Sequence, residues 1–430
     1  MTKPRASRWL LAVLVWRLAG LSPVLAQTST GAQTPTAAQV PASRVEQIEL
    51  TRRRKHATLW PERESPRVVR ANRLLDRGLT AGIQSGEGPN GWQFILAGTR
   101  PGQGQTFGVG YRRSDLFNDV LTARATARGT LSGGFLADLD LQVNGLQRSA
   151  DTFVNVYSKF ERSPHMEFYG LGADSLKEDR TRYLFNTGTA NVRAGYRFAR
   201  ALNAGVDLGY GGVHTGSGSG DDVPSIETKF DATTAPGLFD DVHFFSWGAF
   251  AGYDTRDLPR GPKKGGFYGI ELGRYVDVDE GKYTHRQLNV EGQQFIPYFN
   301  EQRVVAVMVK ARFSYAGDEH VVPFYLQPKL GGNFELRGFN QYRFHDNNAF
   351  IAALEHRWYA FSGLEMALFV DAGKTVPEKG HINLSKLNYS GGVGLRVRLR
   401  NAIVLRMDIA ESREGLRWIW SISDVSRRVF

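Results

Sequence analysis

The stretch "LEMALFVDA", residues 364–372, decides the fold. Leu364, Met366, Leu368 and Val370 fall on one face of an extended chain, and Glu365, Ala367, Phe369 and Asp371 fall on the other. Strict alternation of this kind has the period of a β-strand, not of a helix. The pattern recurs along the chain. In "VVAVMVKARF" (304–313), Val305, Val307, Val309, Ala311 and Phe313 oppose Met308, Lys310 and Arg312. In "IVLRMDIA" (403–410), Ile403, Leu405, Met407 and Ile409 oppose Val404, Arg406 and Asp408. "GVGLRVRL" (392–399) sets Val393, Leu395, Val397 and Leu399 against Arg396 and Arg398, and "LADLDLQV" (136–143) sets Ala137, Leu139, Leu141 and Val143 against Asp138, Asp140 and Gln142. Each strand has an apolar face and a charged face. A soluble sandwich would bury the apolar faces against each other. A membrane barrel would turn them to lipid and line a wet lumen with the charges.

Strand number and loop lengths separate the two architectures. Sixteen such segments can be drawn, near 92–100, 104–112, 117–127, 133–143, 151–160, 182–196, 201–210, 245–254, 265–275, 285–296, 303–315, 347–357, 363–372, 390–399, 402–410 and 415–423. Connections after even-numbered segments are mostly tight. Several after odd-numbered ones are long: 161–181, 211–244, 316–346 and 373–389. Outer-membrane barrels sort their loops in this way, with short periplasmic turns and longer outer loops. A sandwich has no reason to do so. The expected fold is all-β, a 16-stranded antiparallel transmembrane β-barrel over 92–430. Trp92, Trp358, Trp418 and Trp420 near strand ends would supply its aromatic girdles.

The rest of the composition agrees. The chain has 430 residues and a mean hydropathy of −0.34, and after its start no apolar run reaches the roughly 18 residues that a membrane helix needs. Most of the net charge of +11 sits in the first 77 residues. Residues 78–430 carry 40 basic and 38 acidic side chains, which leaves no basic face for nucleic acid. The absence of cysteine excludes disulfides, thiol catalysis and Cys-ligated zinc. The first 26 residues have a basic start, an apolar stretch from Trp9 to Leu21 and the small-residue site Val24-Leu25-Ala26, the pattern of a cleaved export signal. Residues 27–91 read as an uncharged linker followed by a charged segment, with a short helix over "PRVVRANRLLDRGLTAG" (66–82). The nine histidines are scattered without metal-ligand spacing, and the Gly-rich "HTGSGSGDD" (214–222) lacks the lysine of a phosphate-binding loop. The chain is therefore expected to be no enzyme and to need no cofactor or metal, with 214–222 a flexible outer loop.

Three motifs in order resemble the BamA/TamA/FhaC-like superfamily of outer-membrane assembly and translocation barrels. "PFYLQPKLGGNFELRGF" (323–339) resembles that family's long sixth outer loop, with its Arg-Gly-Phe tripeptide after an aliphatic residue: Leu336, Arg337, Gly338 and Phe339. "YDTRDLPRGPKKGGFYGIEL" (253–272) resembles its strand-turn-strand, with Tyr253, Asp254, Arg256 and Asp257 at the matching positions. "FVDAGKT" (369–375) resembles its Phe-x-Asp-x-Gly strand end. The resemblance implies that the sixth loop folds inward as a plug and that Arg337 meets Glu355 and Asp371, which the strand alternation already points into the lumen. A guanidinium with five fixed donors suits two carboxylates.

Two features depart from the family pattern. Residues 27–91 leave no room for a periplasmic POTRA domain, so capture of a client by that route is not expected. The end "SDVSRRVF" puts Arg428 where an apolar residue belongs, although Phe430 supplies the terminal aromatic. The function implied is polypeptide insertion or translocation through a weak seam between the first and last strands, in the outer membrane of a Gram-negative-type bacterium. The alternative is a passive pore or surface protein. The expected partners are outer-membrane lipids, an unfolded outer-membrane or secreted polypeptide, and a separate periplasmic protein or second copy of the chain.

Overall fold

The computed structural model describes Gln47, Thr51 and residues 90–422, except 101–103, 145–150, 221, 259–260, 300, 362, 379–384 and 400–401. The expected export signal, almost all of the linker and its helix, and the terminal Phe430 lie outside the described residues. Gln47 and Thr51 have helical backbone, and the Thr51 hydroxyl donates to the Gln47 carbonyl at 2.7 Å.

Sixteen strands form one antiparallel sheet in sequence order. They are β1 (Gly91–Arg100), β2 (Gly104–Leu116), β3 (Leu121–Thr130), β4 (Phe135–Asn144), β5 (Thr152–Phe168), β6 (Thr181–Arg197), β7 (Leu202–Ser217), β8 (Asp241–Asp254), β9 (Gly265–Asp277), β10 (His285–Tyr298), β11 (Arg303–Ala316), β14 (Asn348–Phe361), β15 (Leu364–Val376), β16 (Asn388–Leu399), β17 (Ala402–Ser412) and β18 (Gly415–Ile422). A two-residue pair, β12 (Lys329–Leu330) and β13 (Phe344–His345), lies within the loop between β11 and β14. The sheet curls into a barrel whose β1 and β18 come within 8 Å between Cα atoms.

Alternation sets the two faces. Outward residues such as Val206, Leu208, Tyr210, Ile270 and Leu272 are about half exposed, as a lipid-facing wall requires. Inward residues such as Asp138, Glu291, Asp371 and Asp408 are buried. The protein is thus apolar outside and ionic inside. The end that bears the long connections is the outer end, and the opposite end is the inner one.

Segment boundaries differ from the sequence expectation at several strand ends, most tellingly at β3, β5 and β7. Phe117, Asn118 and Asp119 were expected to open the third strand, but they form its preceding turn with φ of 51°, 57° and 65°. Asparagine and aspartate tolerate that left-handed region better than most residues. Strands β5 and β7 also run on through residues assigned to loops, 161–168 and 211–217. The reason lies above the membrane-facing band. There the inward residues Met166, Phe168, Tyr183, Val213 and Phe244 become apolar and pack on Ile226, Leu238, Tyr283, Phe324 and Tyr325 from three outer loops. This outer core extends the strands and covers the barrel mouth. The supposedly flexible 214–222 therefore begins as strand, and residues 226–238 supply part of that core. In the same cap, hydrogen bonds from the Thr233 hydroxyl and from Thr234 hold the Asp231 carboxyl below its usual range.

Candidate functional site in the barrel lumen

The loop between β11 and β14 turns back into the barrel at Leu336-Arg337-Gly338-Phe339. Leu336 takes φ of 48°, and the Phe339 amide closes a turn on the Leu336 carbonyl at 2.9 Å. Leu336 and Phe339 pack with Leu330, Phe344, Ala349 and Ile351, an apolar patch that seats the turn against the wall. The strain at Leu336 is held by that packing and delivers Arg337 to the opposite charges.

Arg337 is 4% exposed. Its Nε and Nη2 donate to the two oxygens of Asp371 at 2.9 and 2.7 Å, and its backbone amide donates to Asp371 Oδ2 at 3.0 Å. Its Nη1 donates to Glu355 Oε2 and lies 4.0 Å from Asp408 Oδ2. The guanidinium carbon sits 3.5 Å from the centroid of the Phe369 ring, so a cation–π contact closes the remaining side. The fork geometry of arginine satisfies two carboxylates at once, which a lysine cannot do.

The ion pairs continue along the wall in both directions. Arg396 Nη2 donates to Glu355 at 3.2 Å, its Nη1 donates to Asp408, and Arg406 Nε donates to Asp408 at 2.7 Å. Towards the inner end, Arg357 Nε lies 3.8 Å from Glu355 and Arg357 Nη1 lies 3.6 Å from Glu365. Arg398 Nη1 donates to Glu365 at 3.2 Å. The chain ends on backbone. Arg357 Nη2 donates to the Pro262 carbonyl at 2.7 Å, and Arg398 Nη2 donates to the Gly261 carbonyl at 2.8 Å. Five guanidiniums thus share four carboxylates, and carbonyl dipoles of the β8–β9 turn supply the balance.

That turn is the second motif. Arg256 folds onto Asp254 through Nε–Oδ1 and Nη2–Oδ2 contacts of 2.9 and 2.7 Å. Asp257 Oδ1 accepts from the Lys263 and Lys264 amides at 2.9 and 3.2 Å. Gly265, at φ +85°, lies so close to the Thr255 carbonyl that a Cβ would stand 2.0 Å from it. The turn offers its Gly261 and Pro262 carbonyls to Arg398 and Arg357. Tyr253 instead faces outward, 47% exposed. Among the described residues no hydrogen bond or ion pair joins the tripeptide to the turn directly. Glu355 and Arg357 connect them.

Three further anchors of the loop carried no sequence signal of their own. Glu335 accepts from Arg312 and lies 3.3 Å from Lys310, both on β11. Arg343 donates from Nε to Glu414 at 2.8 Å, from Nη1 to Ser175 Oγ at 2.8 Å and from Nη2 to the Ser175 carbonyl at 2.6 Å. Arg417 on β18 donates to the Arg337 carbonyl at 3.1 Å and to Asn333 at 2.7 Å. The plug loop therefore grips the β17–β18 hairpin at one end of the sheet. Arg396 and Asp408 were visible as charged-face residues, but nothing in their local sequence marked them as neighbours of Arg337. Beside the loop, a cavity of about 570 Å³ has Glu291, Lys310, Glu335 and Arg357 among its lining residues.

Gly338 fits where no side chain does. A Cβ there would stand 2.7 Å from the Cβ atoms of Ser390 and Ser412 and 3.0 Å from the Glu411 carbonyl. Overpacking of this kind costs about 1–3 kcal/mol. Gly338→Ala is expected to lower the melting temperature of the barrel, and a second change, Ser412→Gly, to recover part of the loss. Unchanged melting of Gly338→Ala would show that the loop shifts freely at this point.

The Omp85 superfamily domain matches residues 90–411. Among solved structures, BamA from Haemophilus ducreyi lacking POTRA domains 1–3 superposes with a TM-score of 0.59 at 14% identity, over 83% of this chain and 78% of that one. CdiB from Escherichia coli superposes with a TM-score of 0.52 at 13% identity, over 76% of this chain and 61% of that one. CdiB from Acinetobacter baumannii gives 0.49 at 13%, over 78% and 60%. No curated protein sequence matches the chain. At such identities the structural likeness speaks for a shared barrel alone, whereas the domain match spans most of the sequence: this chain belongs to the Omp85 superfamily.

Proposed function

We propose that the protein inserts or transports polypeptides at the outer membrane of a Gram-negative-type bacterium, through a lateral seam between β1 and β18. The seam itself carries this reading. The two strands lie side by side, yet among the described residues no backbone ladder joins them, while every other neighbouring pair is laddered. Strand β1 is also imperfectly held on its other edge, where its register with β2 shifts between Ala97 and Arg100. An unpaired strand edge is a template for an incoming strand. The outer apolar core and the plug loop both occupy space along the barrel axis, which supports passage through the wall over a passive pore. Arg343 binding Glu414, and Arg417 of β18 binding the Arg337 carbonyl and Asn333, tie the plug loop to the β17–β18 hairpin and give it a role as the lock on that seam.

Because the chain has no cysteine, the seam can be stapled cleanly. Cysteine pairs placed within Trp92–Ile95 and Trp418–Ser421 would be oxidised or reduced in liposomes that also receive an unfolded client barrel. Reduced protein is expected to speed folding of the client, and oxidised protein to lose that acceleration. Acceleration that survives oxidation would end the lateral reading. Ion conduction without any acceleration would make the protein a pore.

A further inference from the structure

Two arginines face outward, away from the ionic lumen. In the ladders, Leu208 stands opposite Trp247, Trp247 opposite Arg274, Arg274 opposite Arg286, and Arg286 opposite Tyr315. All five share the outward parity of their strands. Trp247 and Tyr315 are 51% and 55% exposed, whereas Glu271 and Tyr275 on β9 and Gln287 on β10, the strands of the two arginines, turn inward. Arg286 is exposed and Arg274 half-buried. Among the described residues, neither guanidinium meets a carboxylate, unlike Arg193, Arg337, Arg343, Arg396 and Arg398 inside the barrel.

Like charges directly opposite each other on neighbouring strands repel. Arginine on a lipid-facing wall is costly except near the membrane interface. The pair stands near the outer ends of β9 and β10, on the side of the wall where that interface is expected. Towards the inner end lie apolar outward residues, Leu272 and Ile270 on β9 and Leu288 and Val290 on β10. Towards the outer end, β9 finishes at Asp277 and β10 begins at His285. A tryptophan and a tyrosine flank the pair on the same rung, as amphipathic rings do at the headgroup level.

We infer that Arg274 and Arg286 form a binding site for the phosphate of an outer-leaflet lipid headgroup, with the acyl chains lying on Leu272, Ile270 and Val290. One phosphate between two guanidiniums replaces their repulsion by paired charge-assisted hydrogen bonds, for which arginine geometry is suited. A lipid is favoured over a soluble anion because the site stands on the apolar wall, where a headgroup phosphate meets water and acyl chains follow below it. This reading does not depend on the polypeptide-handling role.

The test uses the full barrel in neutral detergent, titrated with bisphosphorylated lipid A, with the same lipid stripped of phosphate, and with sodium pyrophosphate. Bound lipid is counted by native mass spectrometry, stability is read by melting, and heat-modifiable migration checks folding. The parent is expected to prefer the phosphorylated lipid. Two basic residues at about 1 kcal/mol each near an anionic surface predict that R274Q/R286Q weakens binding roughly 25-fold, since 1.4 kcal/mol is tenfold. R274K/R286K should keep most of the affinity. Without lipid, R274Q should melt at or above the parent, because the repulsion is relieved, and this order should reverse in phosphorylated lipid. If the double variant fails to fold, R286Q alone carries the comparison with a loss of about fivefold. Equal binding by parent and variant, equal binding of the stripped lipid, or equal protection by pyrophosphate would each overturn the assignment.

Discussion

Arg337→Ala is expected to lower the stability of the barrel by about 3–5 kcal/mol, the usual cost of breaking a buried, hydrogen-bonded charge group from one side. The partners would be left unequal. Glu355 would keep Arg396 at 3.2 Å, but Asp371 would lose both side-chain donors of Arg337 and, among the described residues, keep the backbone amide of residue 337 at 3.0 Å and a 3.4 Å contact from Ser390 Oγ. Asp371 is fully buried, so water cannot replace the lost donors. Arg337→Lys should rescue poorly, because one ammonium cannot span Asp371 and Glu355 in the plane that the fork occupies. Asp371→Asn should show a milder form of the same defect, since it keeps an acceptor. A loosened plug should also raise single-channel current in planar bilayers. If Arg337→Ala melted and conducted like the parent, Arg337 would behave as an exposed ion-pair residue, worth under about 1 kcal/mol, and the lock would have to lie elsewhere.

The placement of these charges shows what a sequence can and cannot reveal in a barrel. Lipid selects every second residue, so the wall was legible in the alternation of 364–372 and its counterparts. The inward parity of Glu355 and Asp371 followed from the same count. Arg337 could be nominated only through the motif resemblance, because nothing in its own loop states where the loop goes. The partners that no pattern marked are those whose acceptor is backbone or lies far along the chain. The Pro262 and Gly261 carbonyls that meet Arg357 and Arg398 have no side-chain signature. Arg343 reaches Ser175 and Glu414 from opposite ends of the chain. The upward run of β5 and β7 was hidden for another reason. Beyond the membrane band the inward face turns from charged to apolar, as at Met166 and Phe168, and alternation of faces no longer reads as lipid against water.

Glu365→Ala is expected to open the inner end. Glu365 is the one carboxylate within reach of both Arg357 Nη1, at 3.6 Å, and Arg398 Nη1, at 3.2 Å, and all three side chains are at most 5% exposed. Its removal would leave Arg398 with the Gly261 carbonyl, and Arg357 with the Pro262 carbonyl and a 3.8 Å approach to Glu355. Dipoles offset a full charge poorly at low dielectric, so a loss of about 3–5 kcal/mol is again expected. Its location would differ from that of Arg337→Ala. The β8–β9 turn should lose its hold on the wall, and trypsin admitted from the inner side should cleave after Lys263 or Lys264, where the parent resists. Arg337→Ala should leave that cleavage slow. The double variant decides whether the two ends communicate. Arg357 stands 3.8 Å from Glu355, which also pairs with Arg337, so the two losses share a partner and should sum to less than their separate values. Strict additivity, with trypsin cleavage unaffected by the state of Arg337, would mean that the plug loop and the inner turn are independent closures and that the ion chain between them transmits nothing.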